Sequence, residues 1–176
     1  MIQKSTFLIA LAALGAGILI GEGSSWLQGT TEQKFETLAG IQPGLGTVMV
    51  DYSTRAGNMY YAAQAGNWGF AAYQLKEMTE MQEVAEITRP GKAQALKSFE
   101  KASLVPLARD IESQNHSGFQ ADFKTMVARC NGCHQSNGMG FLVYQVPDRP
   151  ATPAKMEAGS KLSRTQLHTL LVEIEK

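Results

Sequence analysis

The chain has 176 residues, 44% of them hydrophobic and 18% charged, enough for one globular domain with extensions. Its 16 Lys and Arg balance 16 Asp and Glu. That argues against broad nucleic-acid binding, which needs an excess of basic residues. Two cysteines are too few for a disulfide scaffold.

The first stretch has the pattern of an export signal. Lys4 supplies a positive start, Phe7 to Ile20 is an unbroken apolar run, and Gly21 to Ser25 are mostly small. A membrane-spanning helix needs about 20 apolar residues, and this run is shorter. Residues 1–23 are therefore read as a signal peptide cleaved after Gly23, with an uncleaved membrane tether as the alternative. Export to the periplasm follows from either reading. Residues 24–42 form a polar N-terminal extension with one short helix expected around 31–39. Pro43-Gly44-Leu45-Gly46 then punctuates the chain.

Four amphipathic segments follow, and no alternating strand pattern appears between 43 and 135. In the first, about 45–64, Leu45, Val48, Met49, Tyr52, Ala56, Met59, Tyr60 and Ala63 recur at helical spacing. Asn67 is a good N-cap for the second, about 68–88. Its inner face is Trp68, Ala71, Ala72, Leu75, Met78 and Ala85, and Glu77, Glu80, Glu83 and Glu86 make an outer, solvated stripe. The third, about 91–114, turns Ala95, Leu96, Phe99, Leu104, Leu107 and Ile111 inward. Pro106 predicts a kink or break there, because proline lacks the donor and clashes with the preceding turn. The fourth starts at Ser117 with a Ser117–Gln120 capping box. Its inner face is Phe119, Phe123, Met126, Val127, Cys130, Cys133 and His134.

Asn137-Gly138 ends that helix. Phe141 to Val146 then covers the site or packs as extended chain, 151–160 is a linker, and Ser163 to Glu175 is a short amphipathic helix. The division expected is a helical domain over 43–142 and a tail over 143–176. Four helices with short links pack as an antiparallel up-down bundle. The fold class is all-α.

Both cysteines and one of three histidines fall in Cys130-Asn-Gly-Cys133-His134. Cys-x-x-Cys-His reads as a site for covalent attachment of one c-type haem. Helical neighbours three apart lie roughly 5–6 Å from one another, so both sulfurs reach one porphyrin edge as thioethers while His134 offers a ring nitrogen to the iron. A structural zinc site needs four ligands, and nothing is spaced to complete one. A thioredoxin-like motif expects a βαβ context, which is missing. In an up-down bundle the start of the first helix lies at the same end as His134. Met49 is the candidate distal ligand, since a thioether opposite histidine gives a raised potential. Otherwise Tyr52 or an apolar residue covers an open iron. Met139 is a weaker candidate, and His116 and His168 read as surface residues. Tyr52, Tyr60, Tyr61 and Trp68 are candidates for the haem wall, and Arg129 for a propionate contact.

This pattern resembles the class II c-type cytochromes, the group of cytochrome c′ and its low-spin Met/His relatives. The resemblance rests on the four helices over about 43–135 with the motif at the end of the fourth. It implies an exported haem protein with His134 as proximal ligand and often a homodimer. It also implies a Met from the first helix in low-spin members, for which Met49 is the matching position. The chain departs from the pattern in its long extension after His134 and in lacking a basic residue just after the motif.

The function expected is that of a periplasmic carrier of electrons between redox proteins, not an enzyme. The alternatives are a five-coordinate binder of NO or CO and a haem subunit of a larger complex that docks through the tail.

Overall fold

The computed structural model describes residues 29–152, 156–157, 161–172 and 174. The expected signal segment lies outside them. Among the described residues every regular element is helical, and no helix is long and apolar enough to cross a membrane.

The chain divides into two compact units, 1–42 and 43–176. The first contains helix α1, Thr31–Gly40, whose capping box pairs Thr30 with Gln33 and which buries no residue. The second begins with α2, Leu45–Gln64, and α3, Trp68–Thr88. Asn67 caps α3 as expected, its side chain accepting from Phe70 N–H at 3.1 Å. Helix α4 comes next, Pro90–Phe99, with proline at its first turn, where its missing N–H costs nothing.

The break expected from Pro106 takes the form of a widened turn. Glu100–Leu104 is π-helical, and α5 resumes over Val105–Ser113. Proline cannot donate an α-helical bond and crowds the preceding turn, and here the helix widens just before it. The inward set of this segment is only half as expected. Leu104, Leu107 and Ile111 are fully buried, but Ala95 is exposed and α4 itself buries no residue.

Helix α6, His116–Ser136, begins earlier than the Ser117 capping box suggests. Its N-cap is Asn115, which accepts from Gly118 N–H at 3.2 Å, while Ser117 donates to Asn115 Oδ1. Gln114 takes the left-handed conformation with φ 55° and turns the chain so that Asn115 stands at the cap. The last helix is α7, Arg164–Leu171, capped by Ser163 with Gln166.

Contacts near the helix ends show which ends meet. Arg89, after α3, donates to the Pro43 carbonyl, before α2, at 3.1 Å. Lys92 of α4 reaches Asn137, at the end of α6, at 2.6 Å. At the other end Gln64 meets Gln120, and the rings of Trp68 and His116 lie 4.6 Å apart. The core between them joins Met59, Leu75, Met78, Leu107, Ile111, Phe119, Phe123 and Met126. The tail belongs to this core, since Leu167, Leu171 and Ile174 are buried in it and α7 packs on α3 and α5.

Asp110 is buried where α5 meets α6 and accepts from Asn115 Nδ2 at 3.1 Å. Burial, then the neighbouring Asp122 carboxylate, pushes its carboxyl from 3.8 up to about 6. The folded state thus holds a proton that the unfolded chain releases near 3.8. This stabilisation is complete below that value and is lost as pH rises through about 6. Asp110→Asn keeps the shape without the titration. Urea denaturation should therefore show its stability relative to wild type rising between pH 4 and pH 7, and a constant difference would contradict this assignment.

Candidate functional site

The motif occupies the last turns of α6. Phe119, Phe123 and Met126 of this helix are buried, and the same face continues through the half-buried Val127 and Cys130. Cys133 is exposed one turn on, and both cysteines are free thiols. Burial, with Cys133 adding to it, pushes the Cys130 thiol up to about 12, so it is neutral at physiological pH.

The chain reversal after α6 fixes the histidine. Asn137 is the C-cap, and Gly138 adopts φ 74°, a conformation that favours glycine. Met139 N–H then bonds back to the His134 carbonyl at 2.8 Å. The reversed chain brings the Leu142 carbonyl to 2.8 Å from His134 Nδ1. A carbonyl only accepts, so Nδ1 carries the hydrogen. The lone pair on Nε2 is then the one left for a metal. A hydrogen bond of this kind sets the tautomer and ring orientation of ligating histidines.

The segment after the histidine is strapped across the bundle. Asn131, inside the motif, donates to the Tyr144 carbonyl at 3.0 Å and accepts from Tyr144 N–H at 2.7 Å. Tyr61 on α2 donates to the Pro147 carbonyl at 2.6 Å. A Cβ on Gly57 would lie 2.9 Å from the Pro147 ring, so the strap requires a glycine there. Asn58 accepts from the backbone N–H groups of Ala151 and Thr152. Burial pushes the Tyr144 phenol up to about 12, with Cys130 as the second cause. Phe141 and Val143, beside the motif, are 76% and 70% exposed.

The other expected site residues are dispersed. Met49 is half-buried on α2, one turn before Tyr52. Tyr52 is buried and donates to Gln82 Oε1 at 3.0 Å. Its phenol is raised well above its ordinary value by burial, then by Cys130, Glu100 and Glu86. Tyr144, clamped to Asn131 of the motif, donates to the carbonyl of the adjacent Ser53 at 3.5 Å, so this stretch of α2 lies on the motif's side of the core. Tyr60 packs on Phe123 with ring centroids 5.0 Å apart. Trp68 lies with His116 at the start of α6, whereas the motif is at its end. A helix of that length puts the two roughly 25 Å apart, which removes Trp68 from the site. Arg129 and Met139 are exposed. His168 sits 3.4 Å from Glu112.

Sequence reasoning missed Gln82, Glu100, Asn131 and the Leu142 carbonyl. Gln82 occurs on the buried face of α3 and was the most findable, as a polar residue at i+4 from Met78. Glu86 is not the solvated residue expected, because its carboxylate lies 3.1 Å from Gln82 Nε2 and its side chain is only 12% exposed.

Among the described residues no three His, Cys, Asp or Glu side chains gather to hold a metal ion. Haem makes a smaller demand, since the porphyrin supplies most of its iron's ligands. The donor set fits that group, with two free thiols three residues apart, an adjacent imidazole with Nε2 available and an apolar flank. Compared with known proteins, the chain matches no family model, no curated sequence and no solved structure.

The Asn131 clamp ties the helix end to the strap. Asn131→Ala removes two hydrogen bonds and orphans a partly buried N–H, which should cost about 1–3 kcal/mol. Chemical denaturation measures this, and a loss below about 0.5 kcal/mol would mean that the clamp is not holding the strap.

Proposed function

We propose that this chain is a monohaem c-type cytochrome that carries single electrons between redox proteins in the periplasm. The observation that carries the reading is the His134 ring, held through Nδ1 by the Leu142 carbonyl beside two free thiols on one helix turn. Bound there, haem supplies a one-electron iron couple. Cys130 and Cys133 hold it as thioethers, keeping the group attached whichever redox state the iron adopts. His134 is the proximal ligand, and its hydrogen bond raises the basicity of the ring.

The paired helix ends support an antiparallel up-down bundle of α2, α3, α4–α5 and α6, with the motif at the end of the last. In that arrangement Met49, half-buried at the start of α2, would lie at the motif's end of the bundle and would supply the second protein ligand to the iron. Tyr52 is already engaged with Gln82, which favours it as part of the wall over an iron ligand. Arg129 is exposed beside Cys130 and is the candidate for a propionate contact. The resemblance to class II cytochromes points the same way, including the homodimer that many of them form.

Optical and EPR spectra of protein matured in cells able to attach haem c test the ligand set. A low-spin iron in both redox states is expected, with Met49→Ala converting it to high spin. High-spin wild-type iron would instead favour a five-coordinate binder of NO or CO. A low-spin spectrum unchanged by Met49→Ala would remove Met49 as the ligand.

A further inference from the structure

An electron carrier needs no buried polar chain, yet one crosses this core. Tyr52 donates to Gln82 Oε1, and Gln82 Nε2 lies 2.8 Å from Glu100 Oε2, 3.1 Å from Glu86 Oε1 and 3.1 Å from the Leu96 carbonyl. An amide nitrogen has two hydrogens, so three acceptors compete for them and the two carboxylates share one donor. Gln82 is 1% exposed and Tyr52 6%. Burying such groups is costly unless they are bonded, and apolar side chains would fill the space without that demand. Glu100 opens the π-helical turn, a feature that recurs at functional sites. Phe99, just before it, meets the Tyr52 ring edge-on at 6.2 Å.

The groups around Glu100 set its charge. From α3, Glu83 and Glu86 face it, and from its own helix Lys97 opposes them. From α2 comes the Tyr52 phenol, which Cys130 of α6 also influences. Burial first, then Glu86 and Glu83, hold the Glu100 carboxyl above its ordinary value against the lowering by Lys97. Lys97 is itself 3.9 Å from Glu86 and largely exposed, so solvent weakens it. Tyr52 is next to Ser53, whose carbonyl accepts from the Tyr144 that Asn131 of the motif holds, and the π-turn packs on α6. The network thus reaches the motif's side of the core at one end and ends at the other in an acid sensitive to added negative charge.

Resting on the haem reading, we propose that Glu100 takes up a proton when the iron is reduced and releases it on oxidation, so that this protein moves a proton with each electron. The reductant is a one-electron redox protein. Its electron converts ferric to ferrous iron, and one proton from water forms an O–H bond on the Glu100 carboxylate. The site's net charge is then the same before and after, which is the electrostatic reason for the coupling.

The test is spectroelectrochemical titration of the haem-loaded full chain between about pH 5 and pH 8, above the ordinary glutamate range. The midpoint potential should fall as pH rises and then level. If reduction raises the proton affinity of Glu100 about tenfold, the total fall is about 59 mV. Glu100→Gln should make the potential independent of pH, and Glu83→Gln should keep the fall but move it to lower pH. Redox-difference infrared spectra of the wild type should gain a protonated-carboxyl band on reduction, a readout that needs no variant to fold. A flat wild-type potential, a fall that survives Glu100→Gln, or no such band overturns the proposal and leaves the haem reading intact. A chain that carries no covalent haem overturns both.

Discussion

The site depends on one hydrogen bond, from His134 Nδ1 to the Leu142 carbonyl. Without it the ring of a partly exposed histidine at a helix end would rotate and exchange tautomers. With it, one nitrogen is committed and the other is aimed. The bond requires the chain to double back within eight residues, and the positive φ of Gly138 permits that reversal. It requires the returning strand to stay put, which is the work of Asn131 on Tyr144 and of Tyr61 on Pro147. The orientation of one imidazole thus draws on two helices and the strap.

This explains why the long extension after the motif is part of the structure. The strap runs from the motif along α2, past Ser53, Gly57 and Asn58, toward the opposite end of the bundle. There Leu162 closes against Gly69, and Leu167 and Leu171 of α7, with Ile174 just after it, add three buried aliphatic side chains to the common core. Burying apolar side chains is worth about 1.5–3 kcal/mol each before entropy is counted. The near end of the strap is held by its own bonds, Asn131 on Tyr144 and Tyr61 on Pro147.

The helices were legible because their apolar residues recur at three and four, and because Asn67 announces itself as a cap by residue type. The caps at Thr30 and Ser163 emerged only in the structure. The motif was legible because cysteine is scarce here and its spacing is chemically specific. Pro106 signalled a defect but not its form, since a kink and a π-turn both answer the same missing donor. The start of α6 was misread because Asn115 and Ser117 are both good caps, and only the left-handed Gln114 decides between them. The partner of His134 was invisible, because a backbone carbonyl has no residue signature. The Gln82–Glu100 contact was hidden for a related reason. Glu86 continues a regular surface stripe, and a three-dimensional neighbour, not the pattern, turns it toward Gln82.

The central claim is a covalent one, and the mass of the intact protein tests it directly. Denatured protein from cells that mature c-type cytochromes should carry the added mass of one haem. That mass should survive acidified organic solvent and vanish when Cys130 and Cys133 are both replaced by alanine. A wild-type mass equal to the polypeptide alone, with both thiols free to alkylation, would contradict the account.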